Sequence, residues 1–546
     1  MRRHDVRLAK DMQPPAENAP KTKSAAPTVG RAATLVAAGI FLSKIAGLLR
    51  ETVFAHYFGG SDAADVFRAA VRIPNFLQNL FGEGVLSASF IPVYVRLRAL
   101  GKEEEASDVA DAVATLLALT TAVLVLIGVL ATPYIIDAIA PGFQGAKREL
   151  TIRLVRIFFP GAGLLVMSAW CLGILNSHRK FFLSYAAPIA WNAVMIATMA
   201  GFGRSHSEDS LAAITAWGSV VGSAMQLGVQ LPVALALVRK VRVQLGLALE
   251  SVREVIRNFI PVLVSRGVVQ MSAYIDTLIA TKIPVTGAVA HLGYAQVLYL
   301  LPVSLFGMSV SAAELPAMSG ALGHETEIAA ELRTRLGNGV RQIAFLVVPS
   351  AVAFLALGDV VAAAIYQSGK FTHRDAIYVW GVLAGSAVGL LASSLGRLYS
   401  STYYALRDTR TPLRFAIIRV TLTTILGLFF ALRLPQMIGI DRSWGVAGLT
   451  ASAGIAGWIE FLMLRWKLHQ RIGAVQPVSG LLAKLWSSAI MAGAAAYAIK
   501  LGIHQHGPRL TAVAVLIPYG LLYFGITSAM RVPEAQRLLQ RIARRV

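Results

Sequence analysis

Cysteine is almost absent from this chain: Cys171 is the single thiol in 546 residues. One thiol excludes an intramolecular disulfide and any metal site built from several cysteines. Cys171 lies in an apolar run, where a cysteine is usually a small core residue. The sequence also lacks an H-x-x-x-H pair and a G-x-x-x-x-G-K-[ST] loop. We therefore expect no metal, no cofactor and no ATP hydrolysis.

Charged residues are scarce as well, at 15% of the chain, whereas soluble proteins average about 25%. Hydrophobic residues make up 56%. Apolar runs of about twenty residues, the length of a membrane-spanning helix, recur from one end of the chain to the other. The sequence therefore predicts an all-α polytopic membrane protein with about fourteen transmembrane helices.

Acidic residues are outnumbered by basic ones, 29 to 51, which gives a formal net charge of +22. Most Lys and Arg lie between the apolar runs, so their excess follows the positive-inside rule and does not indicate a nucleic-acid partner. Segments rich in them, such as those near Arg96, Arg179 and Arg407, alternate with poorer ones. With an even number of spans, this alternation predicts that both termini are cytoplasmic.

The chain carries a weak internal repeat. S-A-S-F-I-P at Ser87–Pro92 recurs as S-A-A-E-L-P at Ser311–Pro316, and I-A-P-G-F at Ile139–Phe143 has a counterpart at Gln367–Thr372. Repeats of this kind build secondary transporters, with the substrate site between the repeats. We therefore divide the chain into a disordered basic tail, two pseudo-repeated six-helix halves, and two appended helices with a basic tail: 1–28, 29–245, 246–472 and 473–546.

One apolar stretch, Gly47–Pro92, carries an unusual number of charges. At bilayer depth each costs about 2.5–3.5 kcal/mol, so such groups face a protein interior or a wet cavity. The stretch therefore predicts a polar cavity inside the helical bundle. Its charged residues are Arg50, Glu51, Asp62, Asp65, Arg68, Arg72 and Glu83.

Helical spacing places Asp65, Arg68, Arg72 and Asn79 on one stripe, with Asn75 beside it. Two interpretations stay open: internal ion pairs, such as Asp65 with Arg68, or a cation-lined site for an anion. The excess of Arg over acid favours the second, because a structural network tends towards neutrality. Arg also suits paired hydrogen bonding to phosphate.

Helix-breaking residues accompany this stripe. Pro74, followed by Gly82 and Gly84, predicts a kink or a broken segment beside the cavity. Glu83, between the two glycines, needs a partner or a proton. The residues to which we assign structural or gating roles are Gly47, Pro74, Gly82, Gly84, Pro92, Pro302 and Pro316.

Further charges lie within other predicted spans. Lys44 shares a stripe with Glu51 and lies too deep to reach the membrane surface comfortably. Arg266 and Asp276 belong to the seventh span, and Glu314 belongs to the eighth. Asp276 and Glu314 are candidates for proton or Na⁺ coupling.

These motifs resemble those of the MurJ/MviN family of lipid II flippases. The resemblance implies the MOP (multidrug/oligosaccharidyl-lipid/polysaccharide) exporter fold in the bacterial inner membrane. It implies export of an undecaprenyl-pyrophosphate-linked peptidoglycan precursor by alternating access. Membrane lipids and cell-wall synthesis enzymes are further partners that we consider. It also implies a groove for the lipid tail in the last two helices. The matching pieces are S-K-I-A-G-L-L-R-E (Ser43–Glu51), D-A-A-D-V-F (Asp62–Phe67), I-P-N-F-L-Q-N-L-F-G-E-G-V-L-S-A-S-F-I-P (Ile73–Pro92), A-P-G-F (Ala140–Phe143), Q-S-G-K-F-T (Gln367–Thr372) and Y-A-L-R-D-T-R-T-P (Tyr404–Pro412).

Carried over position by position, the family's first-span arginine pair falls on Lys44 and Arg50, and its second-span aspartate falls on Asp65. Its P-N pair and the glutamate of its E-G motif fall on Pro74, Asn75 and Glu83. Several charges that the family carries are replaced, at Gln78, Gln296, Val297 and Leu300.

We expect the missing cations to have moved, with Arg68 and Arg72 replacing the one at Gln78 and Arg266 replacing the one at Val297. The predicted substrate-binding set is Lys44, Arg50, Asp65, Arg68, Arg72, Asn75, Gln78, Glu83 and Arg266.

The leading prediction is a lipid II flippase, not an enzyme, in which Lys44, Arg50 and Arg72 hold the pyrophosphate. Asp65 and Glu83 would orient these cations or join a gate. The replaced charges leave open a flippase for another polyprenyl-linked glycan of the O-antigen type. A cation-coupled multidrug exporter predicts an acidic or aromatic cavity, and a scaffold for cell-wall enzymes would not need Arg50.

Overall fold

The protein is described by a computed structural model in which the described chain is helical and contains no strand. The predicted tail 1–28 lies outside this description except for its last three residues. The description covers 26–238, 242–319, 325–475, 479–503 and 507–543. Within these ranges it omits the side chains of 26–37, Glu83, 264–273, 316–317, Glu325 and 541–543.

The helices follow one another with short connections. Those of the first part of the chain are α1 (Ala26–Phe58), α2 (Asp62–Phe81), α3 (Glu83–Ser89), α4 (Ile91–Ala99), α5 (Glu103–Ile139), α6 (Gly145–Ser177), α7 (Phe181–Ala186), α8 (Pro188–Phe202) and α9 (Glu208–Val238). Those of the second part are α10 (Glu250–Thr281), α11 (Ala288–Pro302), α12 (Ser309–Ser319), α13 (Glu325–Tyr366), α14 (His373–Ala405), α15 (Arg410–Leu428), α16 (Leu434–Met437), α17 (Gly445–Ile472), α18 (Ser479–Gly502), α19 (Pro508–Ala529) and α20 (Pro533–Ala543).

Twelve of these helices or consecutive helix pieces are long and apolar enough to cross a membrane, counted over the described residues. Helices α1 and α10 are not among the twelve, although their 33 and 32 residues exceed the roughly twenty that a crossing needs. The polytopic helical architecture is therefore confirmed, while the number of fourteen spans stays a prediction.

The predicted interruption of the second span occurs at Gly82. Helix α2 runs without a break through Pro74, ends at Phe81, and is followed by Gly82 in an extended conformation. A Cβ atom at position 82 would collide with the carbonyl oxygen of Gln78, so only glycine fits. The chain over 62–99 thus forms three helical pieces, α2 to α4.

The second copy of the repeat is interrupted at a comparable place. Helix α11 ends at Pro302 and continues into a π-helical turn, Val303–Met308, before α12 begins. In both copies the irregular backbone comes just before the repeated motif at Ser87–Pro92 or Ser311–Pro316. Irregular backbone within a membrane bundle is typical of segments that line a cavity.

Helix α10 contacts helices from both parts of the chain. Near its beginning, Glu254 pairs with Arg96 of α4 at 2.5 Å, and Phe259 packs on Phe81 at a ring distance of 5.7 Å. Near its end, Ile279 lies against α15 at Gly427. The helix therefore joins the two parts of the chain, and a boundary at 245/246 stays a prediction.

The D-T-R-T-P turn has a local structural explanation. The carboxylate of Asp408 accepts hydrogen bonds from the N–H groups of Arg410 and Thr411 and from the Thr411 hydroxyl. These bonds satisfy N–H groups that the first turn of α15 leaves unpaired. Burial raises the pKa of Asp408, but the hydrogen bonds from Thr411 and the charge of Arg471 bring it below its ordinary value.

Candidate functional site

At one end of the bundle, Asp65 joins three helices. Its carboxylate is buried, with 1% exposure, and pairs with Lys147 of α6 at 2.8 Å. It also accepts the N–H groups of Gly287 and Ala290 at 3.0 and 2.8 Å. These groups belong to the start of α11, where unpaired donors and the helix dipole favour an anion. Asp65 therefore caps α11 and pairs with Lys147, not with Arg68.

Glycines at this end bring backbone segments from the two parts of the chain into contact. Gly59 has φ +54°, and a Cβ atom there would lie 2.5 Å from the carbonyl oxygen of Lys370. The Tyr294 hydroxyl donates to the carbonyl of Gly59 at 2.9 Å, and the N–H of Lys370 donates to the backbone carbonyl of His56 at 2.8 Å. A Cβ atom on Gly142 would likewise collide with the carbonyl of Thr281. We call this the sealed end, defined by the connections 59–61, 140–144, 282–287 and 367–372.

Further from the sealed end, Glu51 of α1 binds two arginines. Its carboxylate is buried and pairs with Arg50 and with Arg68, each at 2.5 Å. The guanidinium of Arg68 also lies over the rings of Phe54 and Tyr294, at 4.9 and 4.5 Å. Two cations share one anion, so the group keeps a net positive charge.

Arg50 is the more accessible of these two arginines. Its side chain is 21% exposed, against 14% for Arg68. Its guanidinium lies 4.6 Å from the centre of the Trp191 ring in α8, which fixes its orientation by a cation–π contact. Arg50 can therefore present hydrogen-bond donors to an anion while it stays bonded to Glu51.

Arg72 connects α2 to the second part of the chain. Its guanidinium donates to Gln296 at 2.5 Å and to the hydroxyl of Thr277, and its carbonyl accepts the Tyr274 hydroxyl at 2.5 Å. Gln296 is one of the positions where the family resemblance led us to expect a charge. Here its amide oxygen accepts a hydrogen bond from the cation that α2 supplies.

The polar stripe on α2 is thus divided in two. Asp65, Arg68 and Arg72 contact the second part of the chain, whereas Asn75 and Gln78 are half-buried beyond them, and Asn79 is exposed. Lys44 lies six residues from Arg50 along α1, about 9 Å further from the sealed end. It is exposed, and the described residues provide no partner for it.

The other charges in the predicted set lie in different surroundings. One carboxylate oxygen of Asp276 is buried without a hydrogen bond, and the charges of Arg72 and Arg419 act on this group. Glu314 lies 3.7 Å from Arg335. The side chains of Glu83, Arg266 and Pro316 are outside the described residues.

The residues assigned to gating are placed as follows. Gly84 belongs to α3, and Pro92 is at the beginning of α4, where proline is favoured. Pro302 ends α11 at the π-helical turn. At Gly47 nothing lies within 4 Å of where a Cβ atom would be. Their roles stay predictions.

Sequence reasoning missed partners that come from distant segments. Lys147, Trp191 and Tyr294 were not among the predicted site residues, and the two aromatic residues carry no charge that would mark them. The repeated motif ending at Phe143, four residues before Lys147, could have indicated that this segment lies at a functional end. Among the described residues, no group of three or more His, Cys, Asp or Glu could hold a metal ion.

Comparison with known proteins defines the class. The fold matches an inward-facing multidrug resistance MATE transporter of the MOP superfamily, with a TM-score of 0.62 and 15% identity, covering 79% of this chain and 95% of that one. It matches more closely the structure of a lipid II flippase MurJ in an inward closed conformation, with a TM-score of 0.75 and 23% identity, covering 91% of this chain and 98% of that one. The protein therefore has the MOP exporter fold.

The family follows from the sequence. The model of the family "Lipid II flippase MurJ" matches residues 54–516. The lipid II flippase MurJ of Burkholderia cenocepacia is 29% identical over 519 residues, which cover 92% of this chain and 97% of that protein. This chain belongs to the lipid II flippase MurJ family, and the resemblance found in its motifs is confirmed.

Proposed function

We propose that this protein moves lipid II from the cytoplasmic to the outer leaflet of the bacterial inner membrane, without chemical conversion. The observation that carries the proposal is the group formed by Arg50, Glu51 and Arg68, which keeps a net positive charge inside a membrane bundle. A buried excess of cations favours an anionic substrate, and the substrate named for the family carries a pyrophosphate.

Arg50 and Lys44 are the residues that bind this pyrophosphate. Arg50 is partly exposed and oriented by Trp191, and its planar guanidinium suits two parallel hydrogen bonds to phosphate oxygens. Lys44 adds a second cation about 9 Å along α1. Asn75, Gln78 and Asn79 continue the stripe of Arg68 and Arg72 along α2 and offer amide groups to the sugar hydroxyls.

Arg68 and Arg72 enter the site in a later step. In this conformation Arg68 is held by Glu51 and Arg72 by Gln296. Opening the sealed end would break the bond between Arg72 and Gln296, together with the bond between Asp65 and Ala290. The freed guanidinium would then face the cavity that the substrate crosses. This is alternating access by movement of one six-helix half, 29–245, against the other, 246–472.

We infer that the sealed end faces the outside of the cell. The connections rich in Lys and Arg lie at the opposite end, which the positive-inside rule assigns to the cytoplasm, together with both termini. The two appended helices, within 473–546, attach to α13: the hydroxyls of Tyr519 and Tyr523 donate to the carbonyls of Pro349 and Phe345 at 2.6 and 2.7 Å. Asp276 and Glu314 stay candidates for coupling to an ion, and cell-wall synthesis enzymes stay expected partners.

Rescue of bacteria depleted of their own lipid II flippase tests this function. We expect the wild-type chain to restore growth and Arg50→Ala to fail. Arg414→Ala removes an exposed arginine outside the site and should restore growth as the wild type does. All three need equal amounts in the membrane. Failure of the wild-type chain at a normal membrane level would contradict lipid II as substrate and favour another polyprenyl-linked glycan.

A further inference from the structure

A cleft on the outer surface of the bundle contains two arginines that the transport site does not use. It has a volume of about 560 Å³ and lies between α6 and α9. Exposed residues of α6 at helical spacing, Glu149, Arg153 and Arg156, contribute its polar side. The lining residues are Glu149, Ile152, Arg153, Arg156, Ile157 and Trp217.

The surface on both sides of this cleft is apolar and therefore faces lipid. Helix α9 exposes a residue at every fourth position, and α5 exposes a second stripe at helical spacing. Each of these side chains is at least 40% exposed. They are Trp217, Val221, Met225 and Val229 on α9, and Leu119, Val123, Leu126, Leu130 and Tyr134 on α5.

Arg156 is fixed within the cleft by a defect in the neighbouring helix. Pro133 lies inside α5 and has no N–H, so the carbonyl of Val129, four residues earlier, loses its partner within the helix. The Nε of Arg156 donates to this carbonyl at 3.3 Å. The terminal NH₂ groups of the guanidinium have no protein partner among the described side chains. The arginine is thus oriented but not neutralised.

The depth of these residues matches the headgroup boundary of a membrane. Arg153 and Arg156 lie about 12 and 16 Å from the beginning of α6, and Trp217 lies about 14 Å from the beginning of α9. Helix α6 has 33 residues and is about 50 Å long, so about 10 Å at each end lies outside a hydrocarbon core about 30 Å thick. Both arginines and the tryptophan then lie just inside the boundary, where Trp is enriched.

We propose that this cleft binds the anionic headgroup of a membrane phospholipid, with Arg153 and Arg156 on the phosphate and Trp217 against the glycerol region. Neither arginine has an ion-pair partner among the described residues, and Glu149 is the one acidic residue of the lining. The cleft therefore has a net positive charge at lipid-headgroup depth. This inference goes beyond the proposed function and does not rest on it.

Native mass spectrometry of the full-length protein tests the site with phosphatidylglycerol, phosphatidylcholine and inorganic phosphate as probes. We expect phosphatidylglycerol to bind more tightly than phosphatidylcholine, and Arg153→Gln with Arg156→Gln to weaken its binding on the order of tenfold, because charge-assisted hydrogen bonds to phosphate are lost. Arg153→Lys with Arg156→Lys should keep most of the binding.

The matched control is Arg204→Gln with Arg442→Gln, which removes two exposed arginines at the same end of the bundle and should leave binding unchanged. Equal binding by the Arg153 and Arg156 double variant, equal binding of the two lipids, or competition by inorganic phosphate would each overturn the proposal. A photoreactive phosphatidylglycerol needs no variant. It should label α6 between Ile152 and Ile157 in the wild-type protein, and absence of label there would also overturn the proposal.

Discussion

The carboxylate of Asp65 lies 2.8 Å from the backbone nitrogen of Ala290, and this hydrogen bond attaches α2 to the first turn of α11. The same carboxylate pairs with Lys147 of α6. One buried charge thus connects a helix start and a lysine that are far apart in sequence. In the alternating-access mechanism that we propose, this charge stabilises the closed conformation and is released when the sealed end opens.

Asp65→Asn should weaken the sealed end. The amide lacks the negative charge that attracts Lys147 and the N-terminus of α11. Hydrogen bonds to a charged group contribute about 1.5–3 kcal/mol each to stability. We expect a lower melting temperature of the purified protein and slower transport. The control is Asp62→Asn, because Asp62 also pairs with Lys147 but its side chain is 62% exposed. Equal melting temperatures for the two variants would contradict the capping role of Asp65.

Gly59→Ala should prevent the sealed end from closing. The new methyl group would meet the carbonyl of Lys370, in addition to the cost of a positive φ. Gly101→Ala is a matched control, since Gly101 has φ +75° but open space around its Cβ position. In the control, the free energy of unfolding should fall only by about 1–2 kcal/mol, the cost of a left-handed backbone conformation for alanine.

Disulfide cross-linking between cysteines placed across the sealed end would measure this closure. It should fall sharply in Gly59→Ala and stay near the wild-type level in Gly101→Ala. Similar cross-linking in both variants would show that the close approach at Gly59 is not required.

Glu51 and Arg68 should be energetically coupled. Glu51→Gln removes the anion that pairs with Arg68, whose guanidinium then keeps only the rings of Phe54 and Tyr294 beside it. Arg68→Gln leaves Glu51 paired with Arg50 alone. Because the residues touch, we expect a coupling energy of about 0.5–3 kcal/mol in a double-mutant cycle of unfolding. Additive effects of the two substitutions would contradict the ion pair.

Lys44→Ala should separate binding from stability. Lys44 is exposed and has no partner among the described residues, so its removal should change the free energy of unfolding by no more than about 0.5 kcal/mol. Transport should nevertheless decline, with a higher substrate concentration needed for half-maximal rate. Lys467→Ala, which removes an exposed lysine near the end of α17, should leave both quantities unchanged. Unaltered transport by Lys44→Ala would exclude it from the site.

The sequence was sufficient to predict the membrane architecture and the family. Apolar runs of spanning length report directly on helices in a bilayer, and the motifs from Ser43 to Pro92 are local strings. The break at Gly82 was also predictable, because a glycine pair after a proline is a local signal. Its exact position depended on the contact with Gln78, which only the structure shows.

The partners of the polar stripe could not be predicted in the same way. Helical spacing puts Asp65 and Arg68 on one face, which suggested a pair between them. The structure instead gives Asp65 to Lys147 and Arg68 to Glu51, because neighbouring helices bring these charges closer. Spacing within one helix determines which face a residue occupies, but the packing of other helices determines its partner.

Transport by purified protein in proteoliposomes measures the proposed lipid II movement without other cell components. Fluorescent lipid II is added, and its movement between leaflets is measured for the wild type, Arg50→Ala and Arg414→Ala at equal protein content. We expect movement by the wild type and Arg414→Ala and a loss of at least about tenfold in Arg50→Ala, the factor that corresponds to about 1.4 kcal/mol. Movement at the wild-type rate by Arg50→Ala would contradict the role of Arg50, and no movement by the wild type would contradict lipid II as the substrate.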